Sequence, residues 1–217
     1  MSALRILIAD DHEVVRQGMR TLLSAQPGWQ VCAEAATGRE AVTKARLLHP
    51  AVAVLDISMP DLNGLEATRQ IRRESPTTEV LILTVHEAEQ LVREILDAGA
   101  QGYVLKSDAG RELVNAVTAL SQHKPYFSSS VARIVLDGYL KGQRRKPLPA
   151  EGKALTPRER EIVQLLAEGK SNKEIAKVLG ISVTTAETHR AHVLQKLRLH
   201  SIADLVRYAI RNNIIEP

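Results

Sequence analysis

Asp10, Asp11 and Asp56 are the acidic residues of this 217-residue chain whose placement suggests chemistry. Each follows a short apolar run, so all three fall where a buried strand would end. Carboxylates packed together repel, and ionising all of them is costly. A hard divalent cation relieves that cost, and an all-oxygen donor set favours Mg²⁺. Thr84 and Lys106 close two further apolar runs. They add a hydroxyl donor and a cation beside a position where phosphoryl charge would form. The plain alternative is structural: Asp10 and Asp11 cap a helix starting near His12, Asp56 opens a turn before Pro60, Thr84 is a good β residue, and Lys106 is a surface lysine.

The elements that must position these residues follow from patterning. Apolar runs at 4–9, 30–35, 51–55, 80–84 and 102–105 are rich in Val, Ile and Leu. Their near-continuous hydrophobicity predicts strands buried on both faces of a parallel sheet. Between them, Val14, Val15, Gly18, Met19, Leu22 and Leu23, then Leu65, Thr68 and Ile71, then Leu91, Ile95 and Leu96, follow helical spacing. Five strand-helix units in the first 124 residues predict a doubly wound α/β domain, with its functional crevice at the carboxyl ends of the strands.

A helix is expected over 129–140, and residues 141–152 then lose all periodicity. Two prolines, two glycines and a basic cluster mark a linker there, so 125–153 is assigned as a linker with a helix. From 154 to 217 the pattern is wholly helical. Thr156-Pro157-Arg158-Glu159 and Ser171-Asn172-Lys173-Glu174 are capping boxes, and Gly169 and Gly180 stand where helices should end. Helices are predicted over 157–168, 172–179, 183–198 and 201–212. The second and third form a helix-turn-helix candidate.

Bulk properties agree with two jobs. Residues 1–125 carry 13 Lys/Arg against 16 Asp/Glu, and residues 126–217 carry 16 against 9. The basic half suits a polyanion, although a solvated basic surface gives the same count. The composition, 44% hydrophobic and 25% charged, is that of an ordinary globular chain. No apolar run suits a membrane span, the N-terminus lacks a signal-peptide layout, and the single Cys32 can form no internal disulfide. A cytoplasmic setting is expected.

Asp10-Asp11-His12, Val54-Leu55-Asp56-Ile57-Ser58-Met59-Pro60, Gly64, Leu83-Thr84 and Gly102-Tyr103-Val104-Leu105-Lys106-Ser107 resemble the receiver domain of response regulators. Leu155 through Glu161, Asn172 through Ala176, Thr188-His189-Arg190 and Lys196-Leu197 resemble the LuxR-type helix-turn-helix. Together they identify a member of the NarL/FixJ family. The resemblance implies a five-stranded receiver of order 2-1-3-4-5 over 1–124 and a DNA-binding domain over 154–217. It implies Asp56 as phosphoacceptor from a sensor histidine kinase and Asp10, Asp11, Asp56 and the Ser58 backbone carbonyl as Mg²⁺ ligands. It also implies Thr84 and Lys106 as phosphoryl-oxygen partners and Tyr103 as an aromatic switch. Ser58 and His86, two residues beyond Asp56 and Thr84, occupy positions that in the family influence how fast the phosphoryl group is lost. Ser107 stands where many receivers have proline.

On the third helix of the tail, Ala186, Val193, Leu194 and Leu197 form an apolar stripe. Thr184, Glu187, Thr188, Ala191 and Gln195 share the other side. Within a helix-turn-helix that side enters the major groove. Glu187 suits a cytosine amino group, and Ala191 or the Thr188 methyl suits a thymine methyl. Lys173, Thr185, Arg190 and Lys196 are expected at the phosphates. Single half-site reading is weak, and the resemblance implies a homodimer on duplex DNA, with RNA polymerase as a further expected partner. Ile202, Leu205, Val206, Ala209 and Ile210 are either core or a dimer contact of the DNA-binding domain. Two alternatives stay open. One is a Mg²⁺-dependent phosphohydrolase with Asp56 as nucleophile, against which Ser58 replaces the second aspartate of the dehalogenase-like pattern. The other is a DNA-binding protein whose receiver accepts no phosphate.

Overall fold

The computed structural model describes residues 3–85, 89–128, 131–132 and 155–215. It divides into two compact units, Met1–Lys146 and Pro147–Pro217. In the first, strands and helices alternate: β1 (Leu4–Ala9), α1 (Glu13–Ser24), β2 (Trp29–Ala35), α2 (Gly38–Leu48), β3 (Val52–Asp56) and α3 (Gly64–Glu74), followed by β4 (Glu79–Thr84), α4 (Glu89–Asp97), β5 (Gly102–Leu105), α5 (Ala109–Ser121) and β6 (Tyr126–Phe127). The strands form one sheet in the order β2-β1-β3-β4-β5-β6, every pair parallel.

The five expected strands and their order are present, and a sixth is added. Tyr126 and Phe127 pair with Gly102 and Tyr103 at the sheet edge. Two residues show no readable period, so only the proximity of β5 reveals them as a strand. Of the helix expected over 129–140, Val131 and Ala132 are described, and both are helical. The rest of that segment and the linker over 141–152 lie outside the described residues.

Strand alternation sends side chains to opposite faces, and both faces are packed. Ile6, Ile8, Val52, Val54, Leu81, Leu83 and Val104 join Leu23, Leu113, Val117 and Leu120 on one face. Leu7, Ala9, Ala53, Leu55, Ile82, Tyr103 and Leu105 join Ala41, Ala45, Leu65, Ile71 and Leu91 on the other. Two-sided burial explains why the runs read as continuous rather than alternating. The β1–β2 register shifts between Ile6 and Leu7, leaving Cys32 as the extra residue of a bulge.

The segment between β3 and α3 is fixed by close packing. The Asn63 side chain accepts from Glu66 N (3.0 Å) and caps α3. Gly64 N donates to Ile57 O at 2.8 Å. A Cβ at Gly64 would lie 2.1 Å from the Asp56 carbonyl oxygen and 2.9 Å from Ile57 Cα, so only glycine permits this approach.

The second unit contains α6 (Pro157–Ala167), α7 (Asn172–Leu179), α8 (Val183–Leu197) and α9 (Ile202–Arg211). Both expected capping boxes form, and Gly180 ends α7 in the left-handed conformation at φ 63°. Ile162, Val163, Leu165, Leu166, Ile175, Ala176, Ala186, Val193, Leu205 and Ala209 make its core. On α9, Leu205 and Ala209 therefore face inward, while Ile202 stays at the surface.

Gly64→Ala should destabilise the receiver unit by about 2 kcal/mol, because the added methyl must displace the backbone beneath Asp56. Urea unfolding compared with the parent checks this.

Candidate phosphoacceptor site and DNA-facing helix

Parallel register gathers the chemically interesting residues. Ala9 pairs with Leu55, so Asp10 and Asp56 leave adjacent strand ends. Asp56 pairs with Leu83, and Thr84 with Leu105, which brings Thr84 and Lys106 to the same edge. Lys106 N continues the ladder by donating to Thr84 O at 2.7 Å. Asp10, Asp56 and Thr84 are all buried.

Asp10 and Asp56 divide their oxygens in the same way. Asp10 Oδ1 accepts from His12 N (2.8 Å), and Asp56 Oδ1 accepts from Ile57 N (2.8 Å). The second oxygens both meet one cation: Lys106 Nζ lies 2.9 Å from Asp10 Oδ2 and 3.0 Å from Asp56 Oδ2. These are ion-pair contacts, and among the described residues neither oxygen has another donor. Asp10 thus holds the amide of the N-cap residue His12 but does not cap α1, which has no side-chain cap, and its other oxygen faces the pocket.

Two carboxylates share one ammonium, and the charges are not balanced. Burial pushes the Asp56 carboxyl up to about 6; Lys106 pulls against this, and Asp10 and Asp11 add to it. For Lys106, burial opposes the charged form, but Asp10 and Asp56 outweigh it and hold the ammonium above its ordinary range.

Asp11 is exposed and faces His12. His12 Nδ1 lies 2.8 Å from Asp11 Oδ1 and 3.3 Å from Asp10 Oδ1. Asp10, Asp11 and His12 each offer a donor atom, all within 4.8 Å of one another. Hard oxygens, one of them buried without a hydrogen-bond donor, fit a divalent cation such as Mg²⁺. Two supports escaped sequence reasoning. Arg16 Nη1 donates to the Asp10 carbonyl at 2.8 Å, and Arg16 and Arg20 pair with Glu34 on β2. Their only sequence signal is Arg16 and Arg20 at i, i+4 on α1, which does not name the partner.

Tyr103 is fully buried on the face shared with Leu105. Ser58 follows β3 and is partly buried. The peptide bond between Lys106 and Ser107 is trans. His86 lies outside the described residues.

On α8, Thr184, Thr185, Glu187, Thr188, Ala191 and Gln195 are exposed, while Ala186 and Val193 are buried. Lys173 on α7 is also exposed, and Arg190 is half-buried. Lys196 is placed apart from that surface. Its side chain is only 12% exposed, and Nζ donates to Glu159 Oε2 at 2.6 Å. Glu159 also accepts from Thr156 N at 2.7 Å, so one carboxylate both caps α6 and ties it to α8. Burial opposes its ionisation, yet Lys196 and Thr156 hold the carboxyl below its ordinary value. Among the described residues, no helix is long and apolar enough to cross a membrane.

Both units resemble known proteins. Residues 6–118 match the response regulator receiver domain family, and residues 153–209 match the bacterial regulatory proteins of the luxR family. The transcriptional regulatory protein LiaR of Bacillus subtilis (strain 168) is 39% identical, over 98% of this chain and 99% of LiaR. The oxygen regulatory protein NreC of Staphylococcus epidermidis is 37% identical, over 98% of this chain and all of NreC. Among solved structures, the RcsB response regulator of Salmonella typhimurium is 29% identical, covers 98% of this chain and 99% of its own, and has a TM-score of 0.63. An RcsB–DNA complex matches with 28% identity and a TM-score of 0.60, over 97% of this chain and 99% of that chain.

The raised Asp56 carboxyl has a stability consequence of definite sign. Between its unfolded value of 3.8 and about 6 the folded state binds the extra proton. Through this group, stability falls as pH rises across that window. Without added metal, Asp56→Asn should therefore be more stable than the parent at pH 7.5, by on the order of 2 kcal/mol. The gain should vanish near pH 4, and thermal midpoints at the two pH values check it. Lys196→Ala should destabilise the C-terminal unit by about 2 kcal/mol, since Glu159 loses its cation while buried. Urea unfolding of that variant reads the loss.

Proposed function

This chain belongs to the NarL/FixJ family of two-component response regulators, transcription regulators rather than enzymes, and we propose that Asp56 accepts a phosphoryl group that controls operator binding. The observation that carries the proposal is the Asp10–Lys106–Asp56 arrangement, in which the outer Asp56 oxygen has Lys106 as its only partner among the described residues. That oxygen attacks the phosphorus of a phosphohistidine on a partner kinase. The new O–P bond forms as the P–N bond breaks, and the leaving imidazole takes up a proton. The product is an acyl phosphate on Asp56.

Asp10, Asp11, Asp56 and the Ser58 carbonyl would hold Mg²⁺. When bound, the ion supplies charge neutralisation to the carboxylates and the arriving phosphoryl oxygens. Lys106 Nζ, already between the two aspartates, turns to a phosphoryl oxygen, and the Thr84 hydroxyl donates to another. Movement of Thr84 is coupled to Tyr103, whose buried ring belongs to the same sheet edge. The phosphoryl group thereby favours one of two arrangements of that edge.

In the C-terminal unit, the exposed side of α8 enters the major groove of duplex DNA as a homodimer on a repeated site. Thr184, Glu187, Thr188 and Ala191 face the base edges, and Lys173, Thr185 and Arg190 the phosphates. Lys196 serves this surface indirectly, by fixing α8 against α6 through Glu159. The RcsB–DNA complex, a relative over nearly the whole chain, supports this reading. RNA polymerase is a further partner suited to a regulator of this family.

Intact-mass analysis with Mg²⁺ and acetyl phosphate tests the phosphoacceptor: one phosphoryl adduct is expected on the parent and none on Asp56→Asn. No adduct on the parent, or the same adduct on the variant, rejects it. DNA-site selection tests the reading helix. Glu187→Ala should change the preferred sequence, whereas Lys173→Ala should weaken binding to all duplexes alike and flatten the salt dependence.

A further inference from the structure

We propose that His12 is an imidazole ligand of the acidic site, so that the divalent ion is held by a mixed carboxylate–imidazole set that accepts Mn²⁺ better than Mg²⁺. The proposal rests on the metal-site reading above and extends it to a residue which that reading leaves unused.

The geometry points to coordination. In an octahedral site with donors about 2.1 Å from the ion, neighbouring donor atoms stand about 3 Å apart. His12 Nδ1 lies 2.8 Å from Asp11 Oδ1 and 3.3 Å from Asp10 Oδ1, on either side of that edge length. Two donor–donor edges therefore match a coordination polyhedron, and a donor atom from each of the three residues lies within 4.8 Å of the others. Asp10 is wholly buried; its Oδ1 faces His12, and its Oδ2, which among the described residues has no hydrogen-bond donor, lies beside Lys106. The His12 side chain is 68% exposed and that of Asp11 34%, so the opposite side remains open to water or a phosphoryl oxygen.

His12 is also placed by the backbone. It is the residue before the first turn of α1, in extended conformation at φ −86° and ψ 113°, and its side chain does not cap the helix. Its amide is held by Asp10 Oδ1. The backbone of His12 is thus held against a carboxylate its ring would share an ion with, and the ring lies beside Asp10 and Asp11 rather than capping the helix. A nitrogen donor adds little affinity for Mg²⁺, which prefers oxygen, and more for first-row transition ions.

The test uses the full chain and MnCl₂ alone. Pulsed electron paramagnetic resonance should show ¹⁴N modulation from a directly bound imidazole, and His12→Ala should abolish it. Free-Mn²⁺ signals in titrations should show Mn²⁺ affinity falling on the order of 10-fold in His12→Ala. Mg²⁺ affinity, read by competition, should change by less than about a third of that factor. A Mn²⁺ site that Asp11→Asn abolishes but that lacks nitrogen modulation overturns the proposal and leaves the carboxylate metal site standing. Nitrogen modulation unchanged in His12→Ala overturns it too, by assigning the signal to another residue. Failure to bind one Mn²⁺ per chain overturns both this proposal and the metal-site reading.

Discussion

At the carboxyl edge of the sheet one ammonium is shared by two buried carboxylates. Lys106 Nζ stands 2.9 Å from Asp10 and 3.0 Å from Asp56, and the pocket keeps an excess of negative charge that burial makes costly. A site left in this condition gains from any added positive charge. It also gains when a phosphoryl group draws the lysine away and is itself neutralised. The chemistry proposed for Asp56 grows from this imbalance.

The imbalance persists because the surrounding backbone leaves the carboxylates little freedom. Each aspartate spends one oxygen on a neighbouring amide, which orients the other oxygen toward Lys106. Gly64 lets the start of α3 lie directly against the Asp56 carbonyl, and Arg16 grips the carbonyl of Asp10. Parallel strands packed on both faces provide the rigid frame, since neither face can yield without opening a hydrophobic layer. The site is therefore strained electrostatically and firm mechanically, as a switch requires.

The C-terminal unit uses charge in the opposite way. Glu159 satisfies the amide at the head of α6 and also holds Lys196 on α8, so a single carboxylate sets both a helix start and a helix crossing. With that lysine turned inward, the outer side of α8 is left to neutral and mixed side chains, Thr184, Glu187, Thr188 and Ala191. Such a surface suits reading base edges, and the exposed Lys173 on α7 supplies charge beside it.

The sequence by itself determined the alternation of strands and helices, the strand order implied by the family resemblance, both capping boxes and the exposed side of α8. These are local, because period, caps and glycine stops are written in neighbouring residues. It also placed Asp10, Asp56, Thr84 and Lys106 at strand ends, since apolar runs stop visibly. Tertiary structure alone decided what those residues touch. The bridge of Lys106 to two carboxylates depends on register between strands distant in sequence. The grip of Arg16 on Asp10 depends on how α1 lies along the sheet. The inward turn of Lys196 depends on a helix crossing that brings it to Glu159, 37 residues away in sequence. The pairing of Tyr126 and Phe127 depends on β5 being there to receive them. Long-range contacts arise from packing geometry, which no local pattern encodes, and for that reason the sequence identified the participants while the fold chose their partners.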